Sequence, residues 1–169
     1  MTRSRVAIAL LAVVLAIVVQ TTIFSPGRIQ PLGVAPALVT LVVVLVAPYL
    51  EPEYHLLLGF TAGILLDLVG SGTLGIWAMT MTGVAYIAMR IRMRFAQNAL
   101  VAVAVVFALT VLGQLMFVLL STLFGQNTIA EPALLSKILL PALWNMILAL
   151  PLIWLFKTVF KPSDRVWAT

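Results

Sequence analysis

Apolar residues fall in long blocks along this chain, and the polar residues between them come in short clusters rich in proline, glycine and arginine. The first block covers about residues 6–24, behind Arg3 and Arg5, and reads as a membrane-spanning helix. A basic start before an apolar run also fits a secretory signal. This run is longer than a usual signal core, and Val18-Val19-Gln20-Thr21-Thr22 has no small-x-small cleavage site, so a retained span is expected. Ser25-Pro26-Gly27-Arg28 breaks it. A second span is expected over about 34–50, with Pro36 near its start and Pro48 and Pro52 around its end. Glu51, Glu53, Tyr54 and His55 then form a polar elbow, where His55 reads as an interfacial polar residue.

The third block, about 56–69, ends at Gly70-Ser71-Gly72-Thr73, and the fourth, about 74–89, stops at Arg90, Arg92 and Arg94. Fourteen or so residues of helix reach only about 21 Å, against about 30 Å of hydrocarbon. The turn joining these two spans is therefore expected below the membrane surface, where non-helical backbone must be covered by protein or line a wet cavity. The fifth span, about 99–124, is long enough to tilt. A polar loop from Gly125 to Ser136, with Gln126, Asn127 and Glu131, leads to the sixth, about 138–156. The pattern predicts an all-α protein, a polytopic six-helix transmembrane bundle forming one domain over residues 1–169.

Composition strengthens that reading. Hydrophobic residues make up 63% of the chain and charged residues 9%, and mean hydropathy is +1.19; soluble domains carry roughly 25% charged residues. The net charge of +5 does not point to nucleic acid, because the basic residues sit at the ends of apolar blocks and form no stripe interleaved with aromatics. With the N-terminus cytoplasmic, the inner side holds Arg3, Arg5, Arg90, Arg92, Arg94, Lys157, Lys161 and Arg165, and the outer side only Arg28 and Lys137. That asymmetry predicts both termini inside.

Catalytic constellations are missing. One histidine and no cysteine cannot build a multi-ligand imidazole or thiolate metal site. There is no Walker loop and no Gly-x-Ser-x-Gly elbow. No cofactor and no catalytic residue are expected. The carboxylate of Asp67 lies inside an apolar, glycine-punctuated stretch, and Gly59, Gly63 and Asp67 at i, i+4 and i+8 share one helical face. An ionisable group at membrane depth faces protein or water, and small residues let a second helix approach closely. Asp67 has three readings: it accepts hydrogen bonds from the turn at Gly70 to Thr73, including the hydroxyls of Ser71 and Thr73, which is the structural role expected here; it meets a partner subunit; or it lines a substrate or proton path. Ala9, Ala12, Ala16 and Gln20 form a second small-residue stripe on the first span. Thr110, Gly113, Gln114, Phe117 and Ser121 share a face of the fifth, and Asn145 is the polar residue of the sixth. Such groups commonly hydrogen-bond between helices. Trp77, Trp144 and Trp154 are candidate interfacial anchors, with packing an alternative for Trp144.

Several of these motifs together resemble the rod shape-determining protein MreD family. They are Gln20-Thr21-Thr22, Pro36-Ala37-Leu38, the run from Gly59 through Phe60, Thr61, Ala62, Gly63, Ile64, Leu65 and Leu66 to Asp67-Leu68, the continuation Gly70-Ser71-Gly72-Thr73-Leu74-Gly75, and Tyr86. Ala37 departs from the pattern, since many members carry an acid there. The resemblance implies a non-enzymatic subunit of the cell-elongation machinery in the bacterial cytoplasmic (inner) membrane. It implies an MreC-like single-span partner and, through the complex, a RodA-type glycosyltransferase, a class B penicillin-binding protein and MreB-type actin. It also implies a fold like the substrate-binding subunits of energy-coupling-factor transporters. Such a vitamin-binding subunit is the rival function, and Ala12-x-x-x-Ala16 is similar to the alanine motif those subunits use.

Overall fold

The computed structural model describes residues 2–24, 29–30, 33–70, 72–96, 98–130 and 132–160. They form six α-helices: α1 Thr2–Thr22, α2 Leu38–Val46, α3 Pro52–Val69, α4 Ile76–Ala96, α5 Ala99–Leu123 and α6 Leu134–Val159. Single 3-10 turns follow at Ala47–Tyr49 and Thr128–Ala130. The expected break at Ser25 to Arg28, and the positions of Ser71, Glu131, Lys161 and Arg165, lie outside the described residues.

The helix boundaries follow local chemistry. Pro52 opens α3 at its first position, where its missing N–H costs nothing, so the expected elbow is already helical and α3 is 18 residues long. Asn98 caps α5, its side chain accepting from the Leu100 amide at 2.9 Å. Gly75, at φ +96°, supplies the left-handed residue before α4, which runs on through the arginines to Ala96. The sixth helix starts four residues earlier than the apolar block suggested, at Leu134, and carries Pro141 and Pro151 inside it.

Helix α2 lies at the centre and packs on all five others. Eight of its nine residues are buried, as expected of a helix that is apolar on every side. Around it α3 packs on α4, α4 on α5, and α5 on α6, with α1 against α2 and α3. Two polar ends follow from the alternating chain direction. At the end carrying the chain termini, an Arg92 N–H donates to the Leu50 carbonyl at 3.1 Å, and Tyr49 stacks on Phe160 at 5.2 Å. At the far end α1 meets the start of α2, and α3 meets the start of α4. The outer surface is apolar: Leu11, Leu15, Leu119, Leu143, Ile147, Leu150 and Trp154 are all exposed, the pattern of a protein whose solvent is lipid.

Of the six α-helices among the described residues, three are both long and apolar enough to cross a membrane: α1 from Arg3, α5 and α6. Helix α2 with its 3-10 turn reaches about 20 Å, short of about 30 Å of hydrocarbon. Helices α3 and α4 exceed the expected lengths, with His55 and Asp67 inside α3 and Arg90 and Arg92 inside α4.

Candidate functional site

The stripe on α3 faces α4. A Cβ on Gly59 would lie 2.5 Å from Ala85 Cβ and 2.9 Å from the Met81 carbonyl oxygen, and one on Gly63 would fall on the Ala78 backbone and the Trp77 carbonyl. The two backbones therefore touch where the glycines are. This close approach delivers the N-terminus of α4 to Asp67, one turn further along the same face. Asp67 Oδ2 accepts from the amides of Gly75 at 2.9 Å and Ala78 at 3.1 Å, and Oδ1 accepts from Trp77 at 3.0 Å. Asp67 is 5% exposed. It caps α4 from a neighbouring helix, satisfying amides that every helix start leaves without partners, at the end where the helix dipole favours an acidic group.

The turn between these helices works differently from the expectation. Thr73 Oγ1 accepts a bond from Gln126 Nε2 at 3.0 Å, tying the turn to the loop after α5. Gly70 ends α3 with its amide bonded to Leu66 O. Gly72 has open space about it. Of the turn glycines, Gly75 has the backbone conformation that disfavours any other residue.

A second polar node sits beneath the start of α2. Asn145 Nδ2, fully buried on α6, donates to the Ala37 carbonyl at 2.8 Å and to Thr110 Oγ1 of α5 at 3.0 Å. Thr110 in turn donates to Val106 O. Three elements are thus joined through one side chain. Gln20 of α1 accepts from the Val39 amide at 3.3 Å, in the first turn of α2. Gln114 lies one turn beyond Thr110, beside a cavity lined also by Gln20 and Trp77. Trp77 stacks on Phe117 at 4.2 Å, Trp144 is half-buried, and Trp154 is 71% exposed.

His55 is not interfacial. It is fully buried, with Nε2 2.8 Å from the Val43 carbonyl in the middle of α2. The cause is the early start of α3, which puts His55 on the face shared by Leu58, Gly59 and Ala62. Glu51 before Pro52 was the usable signal, since an N-cap position followed by proline marks a helix start. Ala9 and Ala16 are buried, and half-buried Ala12 lines with Ala16 an apolar groove of about 320 Å³ between α1, α2 and α6.

Fold and site together define an all-helical membrane protein in which buried polar side chains fasten helices to one another. The model of the rod shape-determining protein MreD family matches residues 2–159, and the chain belongs to that family. Comparison with curated proteins and with solved structures finds no match, so the expected likeness to transporter substrate-binding subunits gains no support from that side.

Proposed function

We propose that this chain is a non-enzymatic scaffold subunit of the bacterial cell-elongation complex, held in the cytoplasmic membrane by six helices with both termini cytoplasmic. In this reading it binds an MreC-like single-span protein and helps to organise peptidoglycan synthesis by a RodA-type glycosyltransferase and a class B penicillin-binding protein, alongside MreB-type actin. The observation that carries the proposal is the family match over nearly the whole chain. Two structural features support it. Asp67, His55 and Asn145 serve contacts between helices, as suits a protein whose work is to hold a shape. Of the two small-residue stripes, the one on α3 is covered by α4, whereas Ala12 on α1 borders an open apolar groove.

Copurification from native membranes tests the proposal. Recovery of an MreC-like single-span protein is expected. Recovery of a coupling-factor ATPase with a bound vitamin, and no such partner, would replace the scaffold by a transporter subunit.

A further inference from the structure

The lipid-facing surface of this bundle is short on the side of α3 and α4. On α3 the exposed apolar residues begin at Tyr54, next to exposed Glu53, and end at Val69, next to exposed Gly70. Fifteen steps of helix separate them, about 22 Å. On α4 the apolar stretch runs from Ile76 to Met89 and stops at exposed Arg90, about 20 Å. Its neighbour α5 exposes apolar residues from Leu100 to Leu123, about 35 Å. A hydrocarbon core is about 30 Å thick. A tilt near the average of about 20° brings α5 close to that value, whereas tilting α3 and α4 only shortens their reach.

Neither rim of the short side can retreat. At the outer rim Gly70, Gly72 and Thr73 are exposed, and a Cβ on Gly72 would meet open space. Uncovered non-helical backbone is not tolerated in hydrocarbon. The turn is also tied down, because Gln126 Nε2 in the loop after α5 holds Thr73 Oγ1. At the inner rim, an arginine set too deep commonly extends its side chain toward the headgroups. Arg90 does the reverse. Its Nε and Nη2 donate to Tyr86 Oη at 3.1 and 2.8 Å, and its guanidinium lies 5.2 Å from the Tyr86 ring centre, one turn further into the apolar stretch. Arg92 is engaged on the Leu50 carbonyl, level with the start of α3. With both rims fixed by the protein, the bilayer is what must give.

We propose that the α3–α4 face is a bilayer-thinning surface: it draws the headgroups of the two leaflets to within about 20–22 Å of each other and selects phospholipids with short acyl chains. The residues between the rims suit lipid tails, since exposed Leu57, Phe60, Leu68 and Met79 are all apolar. The proposal concerns the membrane around the chain and stands apart from the scaffold reading.

The chain has no cysteine, so spin labels can be placed singly on the full protein in dioleoylphosphatidylcholine bilayers without partners. Leu57→Cys and Leu68→Cys mark α3, and Ala104→Cys and Leu115→Cys mark α5; all four sites are exposed, and each pair is eleven residues apart. Immersion depth is read from relaxation by oxygen and by a water-soluble nickel complex. Eleven residues rise about 17 Å, so the two depths should sum to about 5 Å on α3 and about 13 Å on α5. In nanodiscs of equal dimyristoleoyl and dioleoyl phosphatidylcholine, native mass spectrometry should find the short-chain lipid enriched at least threefold among retained lipids. Arg90→Leu, which carries the apolar stretch of α4 a turn further inward, should reduce that enrichment. The depth comparison keeps Arg90 and stands even where Arg90→Leu fails to fold. Equal depth sums for the two helices, or no enrichment of the short-chain lipid, would overturn the proposal. Dipolar broadening between Leu57→Cys or Leu68→Cys labels would also overturn it, by showing a second copy of the chain on this face in place of lipid.

Discussion

Asp67 gives the sharpest test of how the α3–α4 seam is held, because its three amide partners separate two substitutions of similar size. Asp67→Asn keeps one carbonyl oxygen. Turned toward Gly75 and Ala78, that oxygen preserves two of the three bonds and leaves the Trp77 amide facing an N–H₂ group. One unmet donor costs about 1–3 kcal/mol. Asp67→Leu removes every acceptor. The Ala78 bond is buried while those of Gly75 and Trp77 are part-buried and can recover some water, so the expected loss is about 3–6 kcal/mol on the same scale. That is a large share of a typical folding stability of about 5–15 kcal/mol. Thr73→Val serves as the control, since Thr73 bonds Gln126 at an exposed position and not Asp67; it should change little. The measurement is unfolding of the purified protein in bicelles by denaturing detergent, followed by pulse proteolysis. Equal losses in the asparagine and leucine variants, or a larger loss in Thr73→Val than in either, would refute the cap across the helices.

Gly63→Ala should destabilise by about 1–3 kcal/mol or more, because its new methyl meets α4 backbone. Gly83→Ala meets only the terminal methyl and sulfur of Met116, which can swing aside, so it should cost less in the same unfolding assay; the reverse order would contradict the backbone contact. Asn145→Leu should cost about 1–3 kcal/mol by leaving the Ala37 carbonyl without its donor, and unchanged stability would show that the node is dispensable. Reporter fusions after Arg94 should give a cytoplasmic signal, and an external signal there would overturn the proposed orientation.

The face shared by Gly59, Gly63 and Asp67 was legible from spacing, since i, i+4 and i+8 must align on a helix. The partner of Asp67 was not. Local reasoning offered the nearest donors, in the turn from Gly70 to Thr73, whereas the bonds come from Gly75, just before α4, and from Trp77 and Ala78 in its first turn, where glycine contact brings the two helices together. His55 was misplaced by a helix start set at the first apolar residue, Leu56, four positions after the true proline start. Block lengths alone suggested that 34–50 was one span; Pro36 and Pro48 instead confine regular α-helix to Leu38–Val46. The polar cavity had no signature in any single block, because each of its groups comes from a different element and looks unremarkable alone.

The enclosure of α2 has a consequence for how the protein is made. This helix is the second to leave the ribosome, yet its walls include α4, α5 and α6, which are synthesised afterwards. Too short to span the bilayer by itself, it has no stable resting place in lipid during that interval. Its start is fastened by Asn145, which emerges more than a hundred residues later. Completion of the core must therefore wait for the sixth helix, so that the order of assembly departs from the order of translation. A nascent chain stalled before residue 145 would present an unfinished α2 to membrane proteases. Full-length synthesis would bury it, since the side chains that cover eight of its nine residues come from all the other helices.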